Sequence, residues 1–369
     1  MALPYVAVLS VMTFLVAPYL KKGYSVENKL RKLIVPTKVA LVFLAYVVYI
    51  VFAVSKSVMP GKGAYDAYGY YLNFTRADCT LKYFMKEVTT FEPGYSFAVW
   101  IVRQVTSDYR FMLWIWHTLT FILTVGFYKK VYLKNNYMLV IFVGLTLLIS
   151  QFNTLRMSIS IAIALYSLFA MYKNNWIEAV IIILCAASIH ISALIMVPVF
   201  IVVFIVSNIN NYKKSLVFTL IGLGIILTIA MFGIINRFAL GTSKSVYVGQ
   251  SSIAWGMDLA IIAFVVLGFA KMKQLKQLSG FNEILILALP VGLICIPLQL
   301  NISVMYRMLL FFGPIILALI PSIIRCYKES STKMVYYIVS LISYGYLISK
   351  IYSFVTEEVV YLNIYITSN

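Results

Sequence analysis

The segment WIEAVIIILCAASIHISALIMVPVFIVVFIVS, residues 176–207, decides the fold class. It is almost entirely apolar, and His190 stands between two runs that each approach the length of a membrane span. A helix satisfies its own backbone hydrogen bonds in lipid, so the segment predicts two membrane helices joined at a histidine.

The rest of the chain repeats this pattern. Of its 369 residues, 62% are hydrophobic and 11% are charged, and apolar runs near twenty residues recur from end to end. This composition predicts an all-α, polytopic integral membrane protein with one transmembrane domain over residues 1–369. About twelve spans are expected, at roughly 3-20, 39-58, 111-128, 137-150, 157-172, 176-189, 191-207, 215-235, 256-270, 281-298, 305-324 and 334-354.

Basic residues fix the expected orientation. More than half of the 30 lysines and arginines lie in six short joins between predicted spans. These are every other connection along the chain, beginning with the one after the first span. These joins are residues 21–38, 129–136, 172–175, 208–214, 271–277 and 325–333. The positive-inside rule places them in the cytoplasm, so both termini are expected outside. The net charge of +18 is explained in this way, and nucleic-acid binding is not expected.

The largest outer loop is then residues 59–110. Within it, Glu92-Pro93-Gly94 predicts a turn, and the following YSFAVWIVRQV predicts an interfacial or re-entrant helix too short to span. Aromatic residues in this loop, among them Tyr65, Tyr68 and Tyr95, fit either a membrane-surface belt or rings that stack on sugars.

Several arginines are expected on the same outer face. Arg156 and Arg307 each stand at the outer start of an apolar helix, and Arg237 is expected on this face too. Such an arginine either snorkels to lipid headgroups or grips phosphate with its fixed fork of donors. Two arginines in the same situation favour a diphosphate site.

His190 is expected at the outer membrane boundary, where it is either a polar joint between helices or a general base. An imidazole has an unperturbed pKa suited to proton transfer near neutral pH. Glu92 and Asp66 are expected on the same outer face. His117, inside a predicted span, fits an interhelical hydrogen bond better than a direct role.

The sequence predicts no metal site and no cofactor. The four cysteines show no paired spacing, no carboxylates cluster with ligand spacing, and no dinucleotide or P-loop fingerprint is present.

Five pieces of the chain resemble the EpsG/Wzy-type membrane proteins that polymerise bacterial exopolysaccharide and O-antigen repeat units. They are GAYDAYGYY (63–71), FEPGY (91–95), NTLRMSISIAIALYSL (153–168), AASIHISALIMVP (186–198) and, more weakly, YRMLLFFGPIILALIP (306–321). They occur in family order, and the resemblance is strongest over residues 60–200. The chain departs from the family at Ala64-Tyr65, where Gly-Thr is common, and at Met157, where Gln is common.

The resemblance implies a GT-C-like glycosyltransferase in the bacterial inner membrane. Its substrates would be undecaprenyl-diphosphate-linked oligosaccharides on the outer face, with Arg156, Arg307 and Arg237 on the diphosphate and His190, Glu92 and Asp66 in catalysis. Tyr65, Tyr68 and Tyr95 would contact sugar. Membrane lipid and a polysaccharide chain-length regulator are the expected partners.

Two other classes share some of these features. An O-antigen ligase uses the same donor but passes the glycan to lipid A core, and the EPGY and HISAL pieces favour the polymerase over it. A lipid-linked oligosaccharide flippase or another transporter would need cations through the membrane depth, whereas the charges here gather at one face.

Overall fold

The computed structural model describes residues 46–47, 49–50, 53–54, 67–131, 155–208, 255–299 and 306–326. All regular structure in these ranges is helical. The α-helices are α1 (Ala67–Arg76), α2 (Leu81–Tyr83), α3 (Pro93–Val105), α4 (Tyr109–Val131), α5 (Leu155–Tyr172), α6 (Trp176–Ile189), α7 (Met196–Asn208), α8 (Trp255–Ala270), α9 (Met272–Leu278), α10 (Phe281–Gln299), α11 (Tyr306–Leu309) and α12 (Gly313–Arg325). A π-helix, Phe84–Val88, continues α2, and a 3₁₀ helix, Ile191–Ile195, precedes α7.

Wherever the structure describes them, the predicted membrane spans coincide with apolar helical stretches, one of which contains a turn. Four stretches are long and apolar enough to cross a membrane: Tyr109–Val131, Leu155–Tyr172, Phe281–Gln299 and Arg307–Arg325. Three shorter apolar helices cover Trp176–Ile189, Ile191–Ser207 and Gly256–Ala270. Seven predicted spans are therefore found as apolar helices. The predicted spans 3-20, 39-58, 137-150, 215-235 and 334-354 lie wholly or mostly outside the described residues.

Two local predictions need correction. The span predicted at 305-324 is broken, because α11 ends at Leu309 and three turn residues separate it from α12. The turn predicted at Glu92-Pro93-Gly94 is the start of α3, with Pro93 and Gly94 already helical. Proline is well placed in a first helical turn, where its missing N–H has no partner to lose. The short helix predicted after this point is confirmed, and it begins two residues earlier than expected.

The join between α5 and α6 shows how the sequence ends one helix and begins the next. Asn174 has a φ of 57°, a left-handed conformation that asparagine tolerates. Asn175 Oδ1 then accepts a hydrogen bond from the backbone N–H of Glu178 at 3.3 Å, and its Nδ2 donates to Glu178 Oε2 at 2.7 Å. The first of these bonds is an N-cap of the kind that begins helices, and the second holds the asparagine side chain in place.

The chain divides into two compact units. The first contains the described residues up to Ile163 together with Cys185–Ile191, and the second contains Ala164–Leu184 and the described residues from Ser192 to Cys326. The core of the first unit is rich in aromatic side chains, which supply large buried areas. Its buried members are Tyr70, Phe74, Ala77, Phe84, Tyr95, Val99, Tyr109, Met112, Leu113, Trp116, Leu155 and Ile159. The described part of the predicted outer loop thus folds into packed helices.

The second unit is organised around α10, which packs against α7, α8 and α12. Gly292 permits a close approach at its centre. A Cβ at this position would lie 3.1 Å from the Ile261 side chain and 3.3 Å from that of Phe312. Small residues commonly allow such close packing between membrane helices.

Candidate functional site

Glu92 is the centre of a polar cluster in the first unit. It is the N-cap residue of α3, yet its side chain does not cap that helix. One carboxylate oxygen, Oε2, accepts a hydrogen bond from Arg156 Nη1, and the other, Oε1, accepts one from the backbone N–H of Ile191 at 3.1 Å. The side chains of Glu92 and Arg156 are only 18% and 14% exposed. The carboxylate therefore joins the start of α5 to the residue that follows His190.

Three aromatic rings enclose the Arg156 guanidinium. Its Cζ lies 4.1 Å from the ring centre of Phe91, 5.4 Å from that of Tyr95 and 5.6 Å from that of Tyr70. Ring faces attract cations, most strongly where water is excluded. Arg156 Nε is buried, and no group in the described part of the chain forms a hydrogen bond with it. The cation is thus held by one carboxylate and a cage of rings.

Tyr95 forms one wall of this cage. It is fully buried, and its ring stacks on Trp116 with 5.6 Å between the centres. Burial raises the pKa of the Tyr95 phenol well above its ordinary value, so the ring stays neutral at physiological pH. The Tyr95 ring therefore contacts Trp116 and lies near Arg156, and it is not exposed to solvent.

His190 lies at the end of α6 and is 8% exposed. Its backbone N–H donates to the carbonyl of Ala186 at 3.0 Å. Ser160 Oγ donates to the same Ala186 carbonyl at 2.8 Å and also lies 3.4 Å from the carbonyl of His190. The end of α6 is therefore fastened to α5 one turn after Arg156.

Gly94 sets how closely α3 approaches α6. A Cβ on Gly94 would lie 2.3 Å from Ser188 Oγ and 2.8 Å from the Ser188 backbone oxygen. A Cβ does not approach a non-bonded atom this closely, and a backbone oxygen cannot rotate away. The EPGY piece thus has a local explanation: a carboxylate for the arginine, a proline that starts the helix, a glycine that fits against Ser188, and an aromatic wall.

A second set of polar groups positions the loop before Glu92. Thr89 Oγ1 lies 2.8 Å from Ser96 Oγ, receives a hydrogen bond from Asn73 Nδ2 at 3.1 Å, and receives one from the backbone N–H of Phe91 at 3.2 Å. Ser96 Oγ also lies 3.3 Å from the Phe91 carbonyl. These bonds fix Phe91, the ring nearest to Arg156. Sequence reasoning missed this set, because single serines, threonines and asparagines carry no distinctive spacing.

The structure places two of the other predicted site residues and does not describe the remaining three. Tyr68 lies on α1 and is 39% exposed. Arg307 lies on α11, in the second unit. Asp66, Tyr65 and Arg237 lie outside the described residues. His117 is buried, and its Nδ1 lies 3.1 Å from Tyr49 Oη, as expected of a partner in a hydrogen bond between helices.

The second unit holds a buried carboxylate that the sequence analysis did not single out. Asp258, near the start of α8, is 5% exposed, and its Oδ2 accepts a hydrogen bond from Gln299 Nε2 at 2.6 Å. Gln299 ends α10 and is fully buried. The signal available in the sequence was an acidic residue at the end of an apolar run. In the ranges that the structure describes, no group of three or more His, Cys, Asp or Glu residues is arranged to hold a metal ion.

Apolar helices of spanning length and a buried cluster of arginine and carboxylate define a helical membrane protein with an enclosed polar site. The family model described as the EpsG family matches residues 41–363, which is most of the chain. The chain therefore belongs to the EpsG family, and its membership supports a role of the polysaccharide-polymerase type. No curated protein matches the chain, and no solved structure does.

Proposed function

We propose that this protein is a membrane glycosyltransferase that joins undecaprenyl-diphosphate-linked oligosaccharide repeat units into O-antigen or exopolysaccharide. The reaction would take place at the outer face of the bacterial inner membrane, with both termini outside. The growing chain on its lipid diphosphate is the donor, and a hydroxyl of the incoming lipid-linked repeat unit is the acceptor. No cofactor is required.

One observation carries the proposal: three separate pieces of sequence meet around Arg156. FEPGY supplies Phe91, Glu92 and Tyr95, and α5, which carries Arg156 in its first turn, supplies Ser160. The HISAL piece supplies the backbone N–H that Glu92 binds. Transfer of a sugar from a diphosphate needs a cation that stabilises the leaving group and a base that accepts a proton. The mostly buried Arg156, paired with Glu92, and the nearby turn that carries His190 fit these two roles.

In the proposed reaction, the acceptor oxygen attacks the anomeric carbon of the donor. The bond from that carbon to the diphosphate oxygen breaks, and the bonding pair leaves with the lipid diphosphate. Arg156 stabilises the charge that develops on this leaving group. Its bond to Glu92 occupies one of its five N–H donors and its Nε–H is buried, so phosphate oxygens would bind at its other Nη donors.

The proton of the acceptor hydroxyl passes to a base. Both carboxylate oxygens of Glu92 are already engaged, one by Arg156 and the other by the backbone N–H of Ile191, so Glu92 is assigned to holding Arg156 and the turn after His190. His190 is then the proposed base, and Asp66 is the alternative. Arg307 and Arg237 are proposed as further diphosphate contacts, and Tyr65 and Tyr68 as sugar contacts. A polysaccharide chain-length regulator is the proposed protein partner.

The test uses the full-length protein in proteoliposomes supplied with lipid-linked repeat units, and polymer length is read on a gel. Wild-type protein is expected to make long chains, with and without EDTA. His190→Ala, compared at equal amounts of inserted protein, is expected to lower turnover by about 10² or more. Chains of normal length from His190→Ala would overturn the assignment of the base. Transfer only to added lipid A core, with no polymer, would identify a ligase instead.

A further inference from the structure

The peptide unit between His190 and Ile191 is held at both of its polar ends. Its carbonyl oxygen, on His190, lies 3.4 Å from Ser160 Oγ, and its N–H, on Ile191, donates to Glu92 Oε1 at 3.1 Å. The backbone N–H of His190 is also engaged, with the Ala186 carbonyl. Three contacts thus fix the backbone on both sides of the histidine.

Two of these contacts lead back to one face of α5. Ser160 is four residues after Arg156, and residues at this spacing lie on the same side of a helix. Arg156 holds Glu92, which holds Ile191, while Ser160 holds Ala186 and His190 directly. The same helix therefore carries the cation and sets the position of the histidine.

We infer that Ser160 is a positioning residue for His190, fixing the imidazole relative to the Arg156 guanidinium through the backbone of residues 186–191. This inference rests on the proposed function of His190. A base must lie within hydrogen-bond reach of the proton it takes, and a displacement of about 1 Å lowers the rate by up to about 10². The serine hydroxyl is fully buried, so no water replaces its bonds.

Ser160→Ala is the direct test, and Ser167→Ala is the matched control. Ser167 lies on the same helix, is also fully buried, and also donates to a backbone carbonyl, that of Ala164 at 2.7 Å. That bond stays within α5. We expect Ser160→Ala to lower kcat by about tenfold with KM changed less than about twofold. Ser167→Ala is expected to keep the wild-type kcat per inserted molecule.

The double variant separates positioning from a general loss of structure. If Ser160 acts through the imidazole, Ser160→Ala lowers the rate of the wild-type protein but leaves the residual rate of His190→Ala unchanged. Equal losses in both backgrounds would overturn the inference, as would equal defects in Ser160→Ala and Ser167→Ala. A normal rate for His190→Ala alone would contradict the proposed function instead, so the two failures are distinguishable.

Discussion

Glu92 and Ile191 are 99 residues apart in the chain, and the Glu92 carboxylate accepts a hydrogen bond from the Ile191 backbone at 3.1 Å. The same carboxylate pairs with Arg156. One side chain thus connects three of the pieces of sequence that resemble the family. Because both oxygens of the carboxylate are engaged, neutralising it and removing it should have different consequences.

Glu92→Gln tests the buried charge pair. The amide can still accept from Ile191, but Arg156 loses its counter-charge while it remains mostly buried. We expect a loss of stability of about 1–3 kcal/mol, less than for a fully buried pair because both side chains keep some exposure. The measurement is the thermal midpoint of the detergent-purified protein by size-exclusion chromatography.

Glu87→Gln is the control for this prediction. Glu87 pairs with Lys86 at 3.8 Å, and both side chains are more than half exposed, so the loss of this pair should have almost no effect. The double variant Glu92→Gln/Arg156→Gln removes both charges, and it should be more stable than Glu92→Gln alone. If the double variant is the less stable of the two, the charge pair is not what stabilises this site.

Gly94→Ala tests the close approach of α3 and α6. The new methyl group would overlap Ser188, including its backbone oxygen, so α3 must move away from α6. We expect a loss of stability of about 1–3 kcal/mol, together with lower activity because Glu92 moves with α3. Gly69→Ala is the control, since a Cβ there meets nothing within 4 Å. Equal behaviour of the two variants would contradict the packing argument.

Much of the fold could be predicted from the sequence, whereas only part of the site could. Lipid allows few solutions for a long apolar run, so seven described helices fall where hydropathy placed them. The break between α11 and α12 was missed because its residues, Leu310-Phe311-Phe312, are as apolar as those of a helix. Hydropathy predicts which residues are buried in lipid, but it does not show whether the backbone of an apolar run is helical throughout.

The site shows the same limit at the level of single residues. Arg156, Glu92 and His190 were each identified from the sequence, but their connection through Ile191 was not. A backbone N–H has no residue type, so no pattern marks it. Ser160 went unnoticed for a related reason, because serine is common in membrane helices and acts here only through its position.

Asp258 provides a test of the second unit. Asp258→Asn keeps an oxygen that can accept from Gln299, and it removes a carboxylate that is costly to bury. We expect Asp258→Asn to accumulate at wild-type levels or above. Asp258→Leu takes away that acceptor from the buried Gln299 amide and should lower stability by about 1–3 kcal/mol. Quantitative immunoblots of membranes measure both variants, and equal amounts would show that the bond to Gln299 has little effect on stability.

The orientation of the chain can be tested by labelling single cysteines in a variant that lacks the four native ones. Tyr83 is 57% exposed and belongs to the segment expected outside, whereas Lys273 belongs to the basic join 271–277 expected inside. A membrane-impermeant maleimide should label Tyr83→Cys in intact spheroplasts. It should label Lys273→Cys only after permeabilisation. The reverse pattern would place the Glu92 cluster on the cytoplasmic face, away from the proposed substrate.

Arg156→Lys tests whether the shape of the cation matters as well as its charge. A guanidinium is flat, so it can lie 4.1 Å from the Phe91 ring centre while one nitrogen binds Glu92 and others remain for phosphate. A lysine ammonium is a point charge on a flexible chain, so pairing with Glu92 competes with contact to a diphosphate. We expect a fall of about tenfold or more in kcat/KM, with part of the defect in donor KM.

The matched control is Arg103→Lys. Arg103 also lies near a ring, that of Phe74 at 5.7 Å, and it also pairs with a carboxylate, that of Asp78 at 2.9 Å. Arg103 has no part in the proposed chemistry, so its lysine variant should polymerise normally per inserted molecule. If both lysine variants lose activity equally, the defect comes from lost packing, and Arg156 has no special role in binding diphosphate.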